Sequence, residues 1–267
     1  MTTHVVADET LGGMARRQWE LTRRVMEGSL DPAYVMAALQ ELIEGKYALT
    51  DPFARYTDHL LSLEQQLERL QRYNSQYWEN RLTEAELAAV VTASEHTQHV
   101  TDLEFLHVEF GSREETAEMW WRVYVGEQPD SWRWDELKLD PEHFQLLVSN
   151  VRTYEPGIHV VRINLVAHWE LQDGRTLEQV RERAVARDQI MAQLEVMSAY
   201  GLHTELFREQ DGENLPYSDM AGTVVTVPGG SLPHALCVNW VPFSRARFYA
   251  HWVGGRTYLW AAPVLRE

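Results

Sequence analysis

Three stretches of this chain alternate apolar and polar residues, and the polar side of each carries histidine with arginine or glutamate. In 158–171 the odd positions include Val161, Ile163, Leu165, Ala167, Trp169 and Leu171, while the even ones include Arg162, Asn164, His168 and Glu170. In 247–253, Phe248, Ala250 and Trp252 oppose Arg247, Tyr249 and His251. In 103–110, Leu106, Val108 and Phe110 oppose His107 and Glu109, which share their side with Leu103 and Phe105; Glu104 breaks the pattern. Alternation of period two is the mark of a strand with two unlike faces. Same-face side chains then stand about 6.5–7 Å apart, and neighbouring strands about 4.8 Å apart. If the three strands neighbour one another in one sheet, His107, Glu109, Arg162, Asn164, His168, Glu170, Arg247, Tyr249 and His251 form a single polar patch.

Such a patch has the groups that a small-ligand site needs. Arginine holds a carboxylate or phosphate bidentately. Histidine beside glutamate moves a proton near neutral pH, and the same pair could ligate a divalent metal. Against this stands the commoner use of such residues, as the face that an antiparallel sheet turns to water or to a covering helix. A partner interface is the third use.

The elements that would position the patch are marked by their start signals. Asp31 before Pro32 and Asp140 before Pro141 place an N-capping acid ahead of proline at the first helical position. Capping boxes read as Ser62/Gln65, Thr83/Glu86, Ser112/Glu115 and Thr176/Gln179. The expected helices are 12–28, 32–44, 54–80, 84–93, 113–124, 141–149 and 177–200. The expected strands are 103–110, 158–171, 223–227, 235–241, 247–253 and 257–261. They are separated by turns at Asp173 and Gly174, Pro228 to Gly230, and Gly254 and Gly255, the last a hairpin turn. In the long helix from Leu177 the apolar stripe is Val180, Ala184, Met191, Leu194 and Met197, and the position completing it is Arg187 or Asp188. A charge there needs a partner or must snorkel out to water.

The pattern predicts an α+β fold: a helical N-terminal segment, 1–95, then an α+β body, 96–267, built on an antiparallel or mixed sheet with helices on one face. The boundary falls in the polar stretch 93–100, and one continuous domain is the alternative. Eight of the ten tryptophans lie from Trp120 onward. An aromatic-filled core is the expected use of these rings, ahead of a stacking platform for a sugar or base.

Composition excludes several classes. The net charge is −16, and both the first ninety residues and the rest are acidic, with no basic stripe. A phosphate-rich partner is repelled, so neither nucleic acid nor an anionic membrane is an expected partner. Cys237 is the one cysteine, so no intramolecular disulfide and no four-cysteine zinc site can form. No run approaches the roughly 20 apolar residues of a membrane span, and no leader pattern opens the chain; a cytoplasmic location is expected. Dinucleotide, P-loop, nucleophile-elbow and zincin motifs are missing. His96 and His99 read as a loop pair, Asp211 to Glu213 as a turn, and neither a metal nor a cofactor is expected.

Gly28 to Pro32 with Ala38, Leu39 and Gln40, then Glu64 to Arg69, Pro156 to Trp169, Leu194 to Val196, Ala250 to Trp252 and Ala262 to Glu267 resemble segments of a group of short, functionally uncharacterised bacterial proteins. The resemblance implies a conventional single unit and no reaction. The leading expectation is a non-catalytic binding or accessory protein acting on a small molecule or a protein partner. One alternative is an enzyme with His168 or His251 as acid/base and Arg162 and Arg247 orienting an anionic substrate. The other is a structural subunit of a homo-oligomer.

Overall fold

The structure is a computed structural model, and it describes residues 8–43, 53–90, 92, 98–135, 137, 140, 142–146, 151–169, 175–209, 215–226, 232–241, 245–254 and 260–266. Glu170, His96, Gly255 and the turns at Asp173 and Gly174, Asp211 to Glu213 and Pro228 to Gly230 lie outside the described residues. Contacts divide the chain into two units, Met1–Asp51 and Pro52–Glu267, a division earlier than the polar stretch 93–100. The first unit holds helices α1 (Asp8–Met26) and α2 (Pro32–Ile43). Asp31 Oδ1 accepts the Ala33 N–H at 2.8 Å, the expected cap of α2.

The second unit is α+β, as the pattern predicts, but it contains two sheets. After a 3-10 turn (Ala54–His59) come α3 (Leu63–Gln76), α4 (Glu84–Ala88), β1 (Leu103–Glu109), α5 (Arg113–Glu127), β2 (Trp132–Arg133), β3 (Phe144–Leu146) and β4 (Gly157–Asn164). There follow α6 (Leu177–Ala186), α7 (Glu195–Leu202), α8 (Thr204–Glu209), β5 (Tyr217–Thr226), β6 (Pro233–Val241), β7 (Arg245–Trp252), β8 (Trp260–Ala261) and β9 (Val264–Arg266). The small sheet runs β1-β4-β9, all antiparallel. The large one runs β2-β7-β6-β5-β3, with β8 paired to β5. Helices α5 and α7 touch both. The Trp120 indole reaches the Val108 carbonyl of β1, and Trp121 stacks on Phe248 of β7. Ser198 bonds to His107 of β1, and Tyr200 to Ser218 of β5.

The start signals hold at Asp31, Ser62, Thr83, Ser112 and Thr176, whereas Asp140 caps a turn that opens no helix among the described residues. Ser62, Thr83 and Thr176 form reciprocal capping boxes. Ser112 caps α5 through the Glu115 N–H, but the Glu115 carboxylate turns back to the Gly111 N–H instead. Four expectations are corrected. The helix expected over 54–80 is broken at 60–62, because Ser62 starts α3 afresh. The helix expected over 141–149 is replaced at Phe144–Leu146 by β3. Asp140 does accept the Glu142 and His143 N–H groups, but the chain then pairs with Val225, Val224 and Thr223 of β5. The helix expected over 177–200 ends at Ala186, where Asp188 takes φ +54° and Gln189 donates back to the Ala184 carbonyl. Residues 190–192 then run extended between β9 and β5: Ala192 N–H bonds the Pro263 carbonyl, and Gly222 N–H bonds the Ala192 carbonyl. Met191 and Leu194 are buried as the stripe requires, while Arg187 and Asp188 sit exposed at the helix end. Finally, the described end of the last expected strand, β8, pairs in parallel with β5, and among the described residues it has no pairing with β7.

The core gathers where α3, α5 and α7 meet β1. Trp78 and Trp120 are fully buried and pack edge to face at 5.1 Å. The Trp78 indole donates to the Met119 carbonyl, the Tyr73 hydroxyl to Gly201 and the Tyr124 hydroxyl to Met197. These are the partners that buried amphipathic rings require. The tryptophans beyond β1 are not all interior, since Trp132 and Trp252 are exposed.

A Cβ at Gly201 would stand 2.5 Å from the Trp120 ring. Gly201→Ala is therefore expected to lower unfolding stability by about 1–3 kcal/mol in urea titrations, the usual effect of overpacking. His203, fully buried between α7 and α8, is pulled down by burial to a pKa of about 4. Between pH 6.5 and that value the unfolded chain binds a proton that the folded chain does not. Stability should fall through this window by on the order of 3 kcal/mol, and His203→Gln should flatten that limb of the pH–stability curve.

Candidate functional site

The single polar patch does not form. β1 and β4 are neighbours, but β7 belongs to the other sheet. Even within the small sheet the residues divide between two faces. His107 stands opposite His159, and Glu104 opposite Arg162. His107 and Glu109 therefore lie on one face, and Arg162 and Asn164 on the other. Arg162 bonds to Glu104 at 3.2 Å. Asn164 Oδ1 accepts the Val166 N–H at 3.0 Å, an Asx turn that ends β4 seven residues short of the expected strand end at Leu171.

Arg247, Tyr249 and His251 belong to β7 of the large sheet. Arg247 lies over the Trp132 ring at 5.9 Å, and the Tyr249 hydroxyl accepts from Asn239. His251 stacks on Trp260 and faces the buried Asp219 at 3.7 Å. The Asp219 carboxylate facing it raises the pKa of His251, against the opposing effect of burial. His168, in the turn after β4 with φ +62°, lines a recess with Asp219 and Trp260, but this recess has no room for a ligand. Beside it β5 bulges between Met220 and Val225. Arg181 of α6 donates to the Ala221 and Thr223 carbonyls that the bulge leaves unpaired. The buried cation of α6 is thus Arg181, not Arg187, and it serves the backbone.

A cavity of about 210 Å³ opens where β1 ends and α5 begins. Its walls come from three separate stretches. His107 and Glu109 close β1, and Ser112 and Arg113 open α5. Arg152 and Tyr154 precede β4, and Gln193 and Glu195 lead into α7. The turn into β4 is made by Gly157, whose φ of +141° is open to glycine but strained for other residues, directly opposite Glu109.

His107 is 1% exposed because α7 covers the face that the alternation left polar. Its ring is held at both nitrogens: Nε2 lies 3.0 Å from Glu109 Oε2, and Nδ1 lies 2.7 Å from Ser198 Oγ. An ionised carboxylate only accepts, so Nε2 carries the proton, and in the neutral ring Nδ1 accepts from the Ser198 hydroxyl. The Tyr154 ring packs on the imidazole at 4.8 Å. Serine, histidine and glutamate are here the members of a nucleophilic triad, but Ser198 is fully buried in mid-helix and is not among the cavity's lining residues.

Four buried polar atoms on the cavity's lining residues have no hydrogen-bond partner: Arg113 Nη1, Tyr154 Oη, Gln193 Oε1 and Glu195 Oε1. The orientation of the Gln193 amide is set by its Nε2, which donates to the Arg152 carbonyl. Glu195 Oε2 accepts the Gln193 N–H at 2.6 Å. Burial pulls the Arg113 guanidinium below its ordinary pKa, against the pull of Glu109, Glu195 and Glu114. Burial, aided by the Glu195 charge, pushes the Tyr154 hydroxyl up. Sequence reasoning found His107 and Glu109 but missed Arg113, Arg152, Tyr154, Gln193 and Glu195. One signal was present: Glu195 interrupts the apolar run from Leu194 to Met197.

Removing the imidazole leaves Glu109 and Ser198 without their shared partner and opens a hole under α7. His107→Ala is expected to cost about 2–4 kcal/mol and Ser198→Ala about 1 kcal/mol in urea unfolding. A His107→Ala protein as stable as its parent would show that the ring does not tie α7 to β1. Compared with models of protein families, with curated proteins and with solved structures, the chain matches none.

Proposed function

We propose that this chain is a non-catalytic binding protein for a small polar molecule, which it holds in the cavity between the end of β1, the start of α5 and the approach to α7. One observation carries the reading: four of the buried polar atoms without a hydrogen-bond partner belong to residues that line this one cavity. Each buried polar group left unsatisfied costs about 1–3 kcal/mol, and a folded chain keeps few of them. Their concentration around one void is what a bound polar ligand would satisfy. The volume is smaller than the roughly 300–1,000 Å³ of sites for drug-sized molecules, which favours a ligand of few atoms.

Binding is favoured over acid–base catalysis by the wiring of His107. Both of its nitrogens are engaged within the protein, so neither is directed at a substrate.

The test is a thermal-shift screen of small polar metabolites against the parent and Arg113→Ala, whose missing guanidinium makes no hydrogen bond to the described residues. A ligand at 100 times its dissociation constant stabilises by about 2.7 kcal/mol. The expected result is a shift in the parent that Arg113→Ala loses. A shift retained in full by the variant would place binding elsewhere, and no shift with any compound would remove the reading.

A further inference from the structure

Resting on that reading, we infer that the ligand is a compact zwitterion of the amino-acid class, its ammonium held by Glu195, Gln193 and Tyr154 and its carboxylate by Arg113. The charges on the walls balance. Glu109 and Glu195 supply two carboxylates, and Arg113 and Arg152 supply two guanidiniums. Glu109 is already engaged by His107, whereas Glu195 keeps an unpartnered oxygen.

The unpartnered atoms also divide by chemistry. Two are acceptors, Glu195 Oε1 and Gln193 Oε1, and the third, Tyr154 Oη, is a hydroxyl near Glu195 that can accept or donate. An ammonium offers three N–H donors and no acceptor. The fourth, Arg113 Nη1, is a donor on a permanent cation, which calls for an anionic oxygen. A simple carboxylate would satisfy Arg113 and leave Glu195 Oε1 without a donor. A simple amine would do the reverse. A buried polar atom left without a partner is costly, so a molecule carrying both groups fits where neither half does. A void of about 210 Å³ suits a molecule of few heavy atoms, such as a small amino acid.

Isothermal calorimetry on the whole chain tests the assignment with glycine, L-alanine, L-serine, β-alanine and γ-aminobutyrate. Acetate, propionate and ethylamine are the single-charge controls. At least one zwitterion is expected to bind at least about tenfold more tightly than every control. Glu195→Gln, which keeps the shape and removes the charge, should weaken that zwitterion by at least about tenfold. Tyr154→Phe, which removes the hydroxyl, should weaken it severalfold and serves as the second variant if Glu195→Gln is misfolded by circular dichroism. Propionate binding as tightly as L-alanine, with both variants unchanged, would overturn the zwitterion assignment and leave the pocket standing as an anion site. No heat from any zwitterion at millimolar concentration would overturn it too, and the metabolite screen would then decide the fate of the pocket by itself.

Discussion

Strand β1 is the element on which the second unit is hung, and its constraint is that every backbone group on it needs a partner away from water. One side of the strand pairs with β4 over its whole length. On the other side two glutamine amides take the place of a missing strand. Gln66 of α3 donates to the Glu104 carbonyl and accepts the Leu106 N–H. Gln98 donates to the same carbonyl and accepts the Glu104 N–H. A primary amide presents a donor and an acceptor side by side, as a backbone peptide does, so it can complete a ladder without being one. With Glu104 and the Leu106 N–H bonded in this way, β1 is enclosed by α3, α5 and α7, and the aromatic core gathers around it. The same enclosure turns His107 from a surface residue into a buried tie.

The large sheet meets the same requirement differently. The bulge in β5 frees two carbonyls, and a buried guanidinium answers both. The Thr223 hydroxyl donates to the Met220 carbonyl and accepts the Leu236 N–H, so the side chain bridges the gap the bulge makes. Burial lowers the pKa of Arg181 to about 10, against the attraction of the Asp219 and Glu178 charges. An arginine is suited to this position because it stays charged under such a load and reaches two acceptors at once.

What the sequence makes legible is local. Ser62, Thr83 and Thr176 announce their helices because a cap is a contract between residues three apart. The alternation at 103–110 and 247–253 survives because each strand keeps one neighbour-facing rhythm. The run 158–171 fails after Asn164 because an apolar position reads the same in a strand as in a buried turn, and only the Asn164 side chain marks the end. The stripe from Val180 to Met197 fails for a related reason: Met191 and Leu194 are buried, but Met191 lies in extended chain between two strands and Leu194 caps the next helix. The cavity is the least legible part. Its walls come from the ends of three stretches far apart in sequence, and no spacing rule connects Arg113, Tyr154 and Glu195. His107 and Glu109 were visible because they share a strand, yet the alternation could not say whether water or a helix would cover them.

The way hydrogen bonds are closed off at the flanks of both sheets also governs how this protein meets other chains. An open strand flank is a template on which another extended chain can add, and that is a common route to aggregation. Here β1 offers amides in place of a free ladder. The outermost strand of the small sheet on its other side, β9, is three residues long, and its neighbouring chain at Ile190 and Met191 bonds to it. The large sheet ends in β2, of two residues, and β3, of three. The longer strands β5, β6 and β7 lie between them, with β2 pairing to Arg247 and Phe248 of β7. Gln66 and Gln98 therefore occupy backbone groups of β1 on which another extended chain could otherwise add.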